Sequence, residues 1–374
     1  MLPLRAAPTI ATSPVLCCQT YAGSSSRISK GCSVELSQTR RYLSDLDIRA
    51  GSTATLIANR AIRRGIAVYS DDRQRLTLQR GKRRVWFDGA QSNINKVLAQ
   101  RCTRFKDVTA RLLRDHGVNV PENVVFGADQ IRPAWEWAAR ALPVVVKPPN
   151  GGKGALVHVG VSEFSAFENA FSAVAESAGE VLVERFVEGE EHRVLLIYGK
   201  VAAAQRRVPA HVVGNGRSTI QKLIEKKNRL RRKSKNRIYI EAQIPVDAVV
   251  VSQLDAQGMR LDSVPSRGQR VWLRSNSNVS SGGEAHDATD ELRADEIAMA
   301  EEVARAIPGL RVAGLDMLLP RDGNGDEPYV LEVNSSPLII GHHYPWAGPS
   351  RDVAALLVEA MFPAAKNAAS TRSD

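Results

Sequence analysis

Asp316, Glu332 and Asn334 are the residues from which chemistry can be built. Gly314-Leu315-Asp316-Met317 and Tyr329-Val330-Leu331-Glu332-Val333-Asn334 read as neighbouring strands, joined by the turn-rich Arg321-Asp322-Gly323-Asn324-Gly325-Asp326. Residues two apart on a strand share a face, so Glu332 and Asn334 project together and Asp316 can join them from the adjacent strand. Three oxygen ligands at a sheet end suit a hard divalent cation such as magnesium. A solvated strand end is the plainer reading of the same residues. The apolar neighbours Leu315, Met317, Val330 and Val333 favour the cation, because an unpaired charge among them is costly.

Lys147 closes the apolar run Val144-Val145-Val146, and Asn150-Gly151-Gly152-Lys153-Gly154-Ala155 follows the prolines after it. Strand, glycine loop, strand is not the strand–loop–helix of a P-loop or a dinucleotide fold. Glycines still let backbone N–H groups approach phosphate oxygens closely. A hairpin has the same look. The lysine inside an apolar strand sharpens the phosphate reading, since buried lysines are rare unless paired.

The elements that position these groups follow from pattern. Residues 52–64 carry Ala54, Leu56, Ile57, Ala61 and Ile62 at helical spacing, with Gly65 as a stop. A shorter helix over 35–46, a strand over 66–70 and a hairpin around Arg80-Gly81 complete a small α/β lobe. Further helices are expected over 101–116, 134–141, 165–178, 290–307 and 352–361, and strands over 181–184, 194–198, 201–208 and 271–274. Ser218-Thr219 reads as a helix start.

With 374 residues the chain can hold two or three domains, and its 43% hydrophobic content is that of a globular protein. No apolar run is long enough to span a bilayer, which argues against a membrane partner. Cys17, Cys18, Cys32 and Cys102 lack metal or disulfide spacing, so a reducing cytoplasm is the expected compartment. The Ala/Pro/Thr/Ser-rich start has no signal-peptide pattern, and residues 1–34 are expected to form a disordered tail.

The net charge of +11 invites a nucleic-acid reading. Lys226, Lys227, Arg229, Arg231, Arg232, Lys233, Lys235 and Arg237 crowd one segment, and removing those eight from +11 leaves +3. No aromatic residues are interleaved to stack bases, so nucleic acid is not the expected partner. The patch reads as a solvated loop, with contact to an anionic substrate as the sharper alternative. Arg193 and Arg207 either grip a substrate carboxylate or form surface ion pairs.

Together these motifs resemble the ATP-grasp carboxylate–amine ligases, above all the ATP-grasp domain of cyanophycin synthetases. Arg207-Val-Pro-Ala-His-Val-Val-Gly214-Asn-Gly216-Arg-Ser-Thr219-Ile, Leu261-Asp-Ser-Val-Pro265, Asn278-Val-Ser-Ser-Gly282-Gly283 and Asp287-Ala-Thr-Asp290-Glu carry the likeness. The lobe from Leu56-Ile57 through Arg63-Arg64-Gly65-Ile66 is similar to the ATP-grasp part of bifunctional glutathione synthetases. The resemblance covers about residues 52–363.

It implies an α/β (α+β) ATP-grasp fold: an N-terminal lobe over 35–120, a lid subdomain over 121–192 and a C-terminal subdomain over 193–363, with a tail over 364–374. The two subdomains would clamp ATP. Lys106, Lys147 and the loop Gly151, Gly152, Lys153 and Gly154 would bind phosphates. Glu184 and the Val187 backbone would hold the adenine edge, and Glu191 the ribose. Asp316, Glu332 and Asn334 would hold two magnesium ions, with manganese as an alternative. Arg274 and Asn278 would lie near the transferred phosphate, and Arg193, Arg207, Ser281 and Gly282 near the acid and amine substrates. A homodimer is the implied assembly.

Two departures stand out. Phe105 precedes the first lysine where the family often has Asp, and Ser335-Ser336-Pro337-Leu338 replaces the subfamily's Ala-Ala-Pro-Gly. The second bears on substrate identity. Cyanophycin synthetases carry a second ligase domain that this sequence lacks, so polymer synthesis in their manner is not expected. The activity implied is amide-bond formation from an acid and an amine through an acyl phosphate. A non-amine acceptor on the same fold, or a polyanion-binding protein using the basic segment, are the alternatives.

Overall fold

A computed structural model describes residues 35–48, 51–150, 156–321, 325 and 327–364. The expected tail over 1–34, the tail over 364–374 apart from its first residue, and the loop residues Gly151, Gly152, Lys153 and Gly154 lie outside the described residues. Among the described residues no helix is long and apolar enough to cross a membrane.

Two compact units make up the chain. The first holds residues 35–94 with Leu338–Ile340 and 352–364. In it α1 (Leu36–Asp45) and α2 (Ser52–Arg63) accompany the antiparallel sheet β1 (Ala67–Ser70), β2 (Leu76–Arg80), β3 (Arg83–Asp88) and β4 (Gln91–Ser92). Leu56, Ile57 and Ala61 of α2 are buried at helical spacing, as the pattern predicts. The C-terminal helix Val353–Met361 packs on α2, and Arg60 bonds Asp352 at 2.7 Å.

The second unit, Asn95–Pro337 with Gly341–Arg351, carries the chemistry. The single helix expected over 101–116 is two: α3 (Val97–Cys102) and α4 (Lys106–Asp115). Phe105 takes an extended conformation (φ −108°, ψ 118°), and the Thr109 hydroxyl donates to the carbonyls of Cys102 and Phe105, closing the break from the inside. The break makes Lys106 the first residue of a helix.

Next come β5 (Asn123–Gly127), α5 (Ile131–Ala138), β6 (Val144–Lys147), β7 (His158–Val161), α6 (Phe164–Ala178) and β8 (Glu180–Arg185). The strands form a sheet in the order β5-β8-β6-β7. Val144, Val146, Val181 and Val183 face a core with Phe167, Phe171 and Val174 of α6. Burying each Phe there contributes about 2–3 kcal/mol. By strand parity Lys147 and Glu184 project from the other face.

β9 (Glu190–Ile197) starts four residues before the strand expected over 194–198. Gly189 explains it: at φ +152° a Cβ would stand 2.9 Å from the Leu318 Cβ, so only glycine lets the chain enter this close to its neighbour strand. β10 (Lys200–Val208) and β11 (His211–Val213) follow.

The basic segment expected as a solvated loop is instead mostly helical. α7 (Ile220–Arg232) starts at Thr219, whose hydroxyl accepts from the Lys222 amide, and buries Ile220, Leu223 and Ile224 on one stripe. Lys, Arg, Gln, Glu and Leu are good helix formers, so the run of charges is compatible with a helix. α8 (Arg237–Glu241), α9 (Ala248–Asp255) and β12 (Arg270–Trp272), paired with β11, complete this region.

β13 (Glu284–Asp287), α10 (Ala294–Ala306), β14 (Val312–Leu319) and β15 (Tyr329–Asn334) end the unit. The central sheet has the order β13-β10-β9-β14-β15, antiparallel throughout. One face packs Val194, Leu196, Ala313, Leu315 and Met317 against Ala300 and Val303 of α10. The other face carries the polar residues.

Candidate active site

Strand register puts the polar side chains in one row. Gln205 of β10 faces Arg193 of β9, Arg193 faces Asp316 of β14, and Asp316 faces Glu332 of β15. Asn334 lies one step along the same face, opposite Gly314. The acid–acid–amide group expected from the sequence is therefore brought together by the sheet itself.

The Arg193 guanidinium holds both oxygens of Asp316, donating from Nε at 2.5 Å and from Nη2 at 2.8 Å. Burial works against the Arg193 charge, but the Asp316 carboxylate beside it holds its pKa above the ordinary value. Gly314 makes room for this pair: a Cβ there would lie 3.0 Å from the Arg193 Cδ and 3.1 Å from the Pro337 Cβ.

Lys106 Nζ lies 3.8 Å from Glu332 Oε1. The Lys106 amide bonds the Pro149 carbonyl at 3.0 Å, which ties the start of α4 to the end of the Lys147 strand. Burial depresses the Lys106 pKa; Glu332 opposes that and Lys147 adds to it. Lys147 donates to Glu184 at 2.6 Å, and both side chains are less than a tenth exposed. Lys106 beside Glu332 and Lys147 beside Glu184 form a seat of two ammonium groups that the oxygens of one polyanion could bridge. A small cavity runs between Lys106, Asn123, Glu184, Leu331 and Glu332.

Glu191 shares the sheet face with Arg193 and bonds the Ser277 hydroxyl. Burial raises its pKa, and the nearby Asp316 charge raises it further. Arg207 forms no ion pair with any described residue. Burial lowers its pKa, and Arg193 lowers it again. Val187 follows β8 in the extended link to β9 and is half-buried. Arg274 gives its guanidinium to Asp247, the N-cap of α9, and its Nε finds no hydrogen-bond partner among the described residues. Asn278, Ser281 and Gly282 sit on one tight loop.

Residues that the sequence did not single out also belong to this face. Gln205 is 3% exposed, and its Nε2 has no hydrogen-bond partner among the described residues. Its parity with Arg207 on the strand was the available signal. His342 is 2% exposed, and its Nδ1 has no hydrogen-bond partner among the described residues. Burial, then the charges of Arg207, Arg193 and His343, push its pKa down from 6.5 to about 3. The native protein refuses a proton that the unfolded chain accepts below pH 6.5, so this contribution is lost as pH falls from 6.5 toward 3. At pH 5 the loss is about 2 kcal/mol. His192 and His211, also held low by burial, act in the same direction. His342→Gln is expected to flatten the decline of stability between pH 6.5 and about 4.5 in urea unfolding; an unchanged slope would remove His342 from this account.

Among the described residues no group of three His, Cys, Asp or Glu side chains is placed to hold a metal. Asp316, Glu332 and the Asn334 amide oxygen are a different donor set, all oxygen, with the Glu332 side chain 35% exposed. Asn334 Oδ1 accepts from the Ser336 amide at 2.9 Å and keeps a second lone pair. This set fits a hard divalent cation that retains water and phosphate ligands.

The profile of one family, the ATP-grasp domain, matches residues 105–338, and the chain belongs to that family. Cyanophycin synthetase of Crocosphaera subtropica is 34% identical over 341 residues, covering 88% of this chain and 38% of the relative. The glutathione biosynthesis bifunctional protein of Mannheimia succiniciproducens is 29% identical over 332 residues, covering 86% of this chain and 44% of the relative. The crystal structure of a bifunctional glutathione synthetase from Pasteurella multocida superposes with a TM-score of 0.64 at 27% identity, over 87% of this chain and 45% of that one. The chain thus spans less than half the length of these relatives. The ATP-grasp fold expected from the sequence is the fold observed.

Proposed function

We propose that this chain is an ATP-dependent carbon–nitrogen ligase that activates a carboxylic acid and joins it to the amine of an amino acid or small peptide. The observation that carries this is the seat of two ammonium groups, Lys106 and Lys147, beside the Asp316–Glu332 carboxylate pair. Cations to hold a polyphosphate and acids to hold its metal belong together in phosphoryl transfer.

The carboxylate oxygen attacks the γ-phosphorus of ATP, the bond to the β–γ bridging oxygen breaks, and ADP leaves. The amine then attacks the acyl carbon, phosphate leaves with the C–O electron pair, and the ammonium proton passes to solvent or a nearby base. Asp316, Glu332 and Asn334 would hold two magnesium ions, which neutralise phosphate charge when bound. Lys106 and Lys147 grip phosphate oxygens. Glu184 and the Val187 backbone hold the adenine edge, and Glu191 the ribose hydroxyls. Arg274 and Asn278 steady the transferred group. Arg207, with no ion pair to any described residue, is free to take the substrate's carboxylate, with Arg193, Ser281 and Gly282 near it. Gly151, Gly152, Lys153 and Gly154 lie outside the described residues and keep only the phosphate-binding role that the family resemblance implies; the site must exclude water, which would otherwise hydrolyse the acyl phosphate.

Phosphate release from magnesium ATP, screened against pairs of amino acids and small carboxylic acids, tests the reading. Release that needs both members of a pair, with a condensed product by mass, is the expected result. Release with an acid and a thiol or alcohol would reassign the acceptor. No release with any pair would overturn the ligase reading.

A further inference from the structure

Arg231, near the end of α7, is fully buried, though the sequence shows it only as one charge in a basic run. Its Nε donates to the Ala242 carbonyl at 2.7 Å. One arm donates to the carbonyls of Gly282 and Gly283, at 3.0 and 3.2 Å, and the other to Val279 at 3.1 Å. The rings of Tyr239 and Trp346 flank it, 5.1 and 5.7 Å from Cζ. Among the described residues no carboxylate lies within ion-pair distance of it.

Burying a guanidinium without an acid is costly, and an apolar side chain would fill the space at less cost. What only arginine offers is a planar fork of five donors. Here the fork collects carbonyls, and three of its four acceptors belong to one loop. The loop is tight in its own right. The Ser281 and Gly283 amides bond the Asn278 carbonyl, and Gly282 bonds Val279. Gly282 sits at φ +101°, and a Cβ on Gly283 would stand 2.4 Å from the Ser277 carbonyl oxygen. With its carbonyls turned to Arg231, the loop keeps the Ser281 hydroxyl on Asn276 and, through neighbouring Ser277, bonds Glu191 on the catalytic face.

Lys227, one turn earlier on the same face of α7, supports this. It pairs with Glu284, the residue directly after the loop, at 2.5 Å, and donates to the His211 carbonyl at 2.7 Å. The inward face of the basic helix is thus spent on the ends and the back of one loop.

We infer that Arg231 is a positioning residue, which fixes the 277–283 loop in the shape that receives the transferred phosphoryl group. The inference rests on the ATP-dependent reading above and adds the residue that pre-organises it. Lysine keeps the charge but cannot span carbonyls of Ala242, Val279, Gly282 and Gly283 at once.

The test compares magnesium ATP and magnesium ADP binding in Arg231→Lys and the unaltered chain, with hydrogen exchange across 276–284 alongside. The expected result is MgATP binding weakened roughly tenfold with MgADP binding unchanged. Faster exchange should be confined to 276–284. Equal loss of both nucleotides, or no loss of either, would overturn the inference. Should Arg231→Lys not fold, Trp346→Phe thins one face of the stack and leaves the hydrogen bonds. It should give the same selective loss, about threefold, and loss without selectivity would count against the inference. If the unaltered chain binds neither nucleotide, the proposed function fails by that measurement alone and takes this inference with it.

Discussion

Glu332→Ala is expected to lower acid-dependent ADP release by about three orders of magnitude while the protein stays folded. Glu332 faces Asp316 across the β14–β15 ladder and lies 3.8 Å from Lys106. On the proposed function Glu332 is one of two carboxylates that would hold a divalent cation; losing it would remove several kcal/mol of charge stabilisation from phosphoryl transfer, and about 4 kcal/mol is a thousandfold in rate. Stability should respond little. The Glu332 side chain is 35% exposed and forms no close hydrogen bond among the described residues, and substitutions of that kind stay within about 0.5 kcal/mol. The melting temperature then shifts by about 2 °C or less. Glu332→Gln should fail in the same way, because the amide keeps the shape and loses the charge. ADP release within a factor of about three of the unaltered enzyme, in either variant, would mean that this pair holds no catalytic metal.

The site was legible where chemistry coincides with strand parity. Asp316, Glu332 and Asn334 sit on short apolar strands, and the two-residue period alone puts them on one face. Lys147 was legible because a lysine within three valines needs a partner. Its acid was not legible: the family resemblance named Glu184 only for the adenine edge, and no local pattern links residues 37 apart. The row that completes the site was hidden for a different reason. Arg193 and Glu191 fall in a charged stretch that reads as loop, and only the glycine at position 189 allows that stretch to become strand. Periodicity cannot report such an event, because it depends on how closely Leu318 approaches.

The basic segment was misread by composition. Eight cations in twelve positions look solvated, yet Lys227 and Arg231, four residues apart, point inward from the helix. Helical spacing of two cations with Leu223 and Ile224 on the same inner side was the available clue. Charge density masked it, because buried arginines are rare and nothing local announces the carbonyls that receive one. The split between α3 and α4 was likewise invisible, since Thr109 back-bonding across the break depends on tertiary packing.

Lys147→Ala tests stability and catalysis together, and the two effects can be separated. In the native protein Lys147 and Glu184 are joined at 2.6 Å, and their side chains are 9% and 7% exposed. Removing the lysine alone leaves a buried carboxylate without its cation, which costs about 3–5 kcal/mol, or a melting temperature lower by roughly 10 °C. On the proposed function it also removes a cation that would grip phosphate, so ADP release should fall about a hundredfold or more. The double variant Lys147→Met, Glu184→Gln puts a neutral pair in the same space. Buried pairs replaced by packed neutral groups are often no less stable than the original, so most of the lost stability should return. Activity should not return, because nothing at position 147 then neutralises a phosphate. A double variant that melts like the native chain and stays inactive assigns the stability effect to the buried pair and the catalytic effect to the loss of its two proposed roles, the phosphate grip of Lys147 and the adenine contact of Glu184. A double variant that regains turnover would show that Lys147 serves the fold alone, and the phosphate seat would then rest on Lys106.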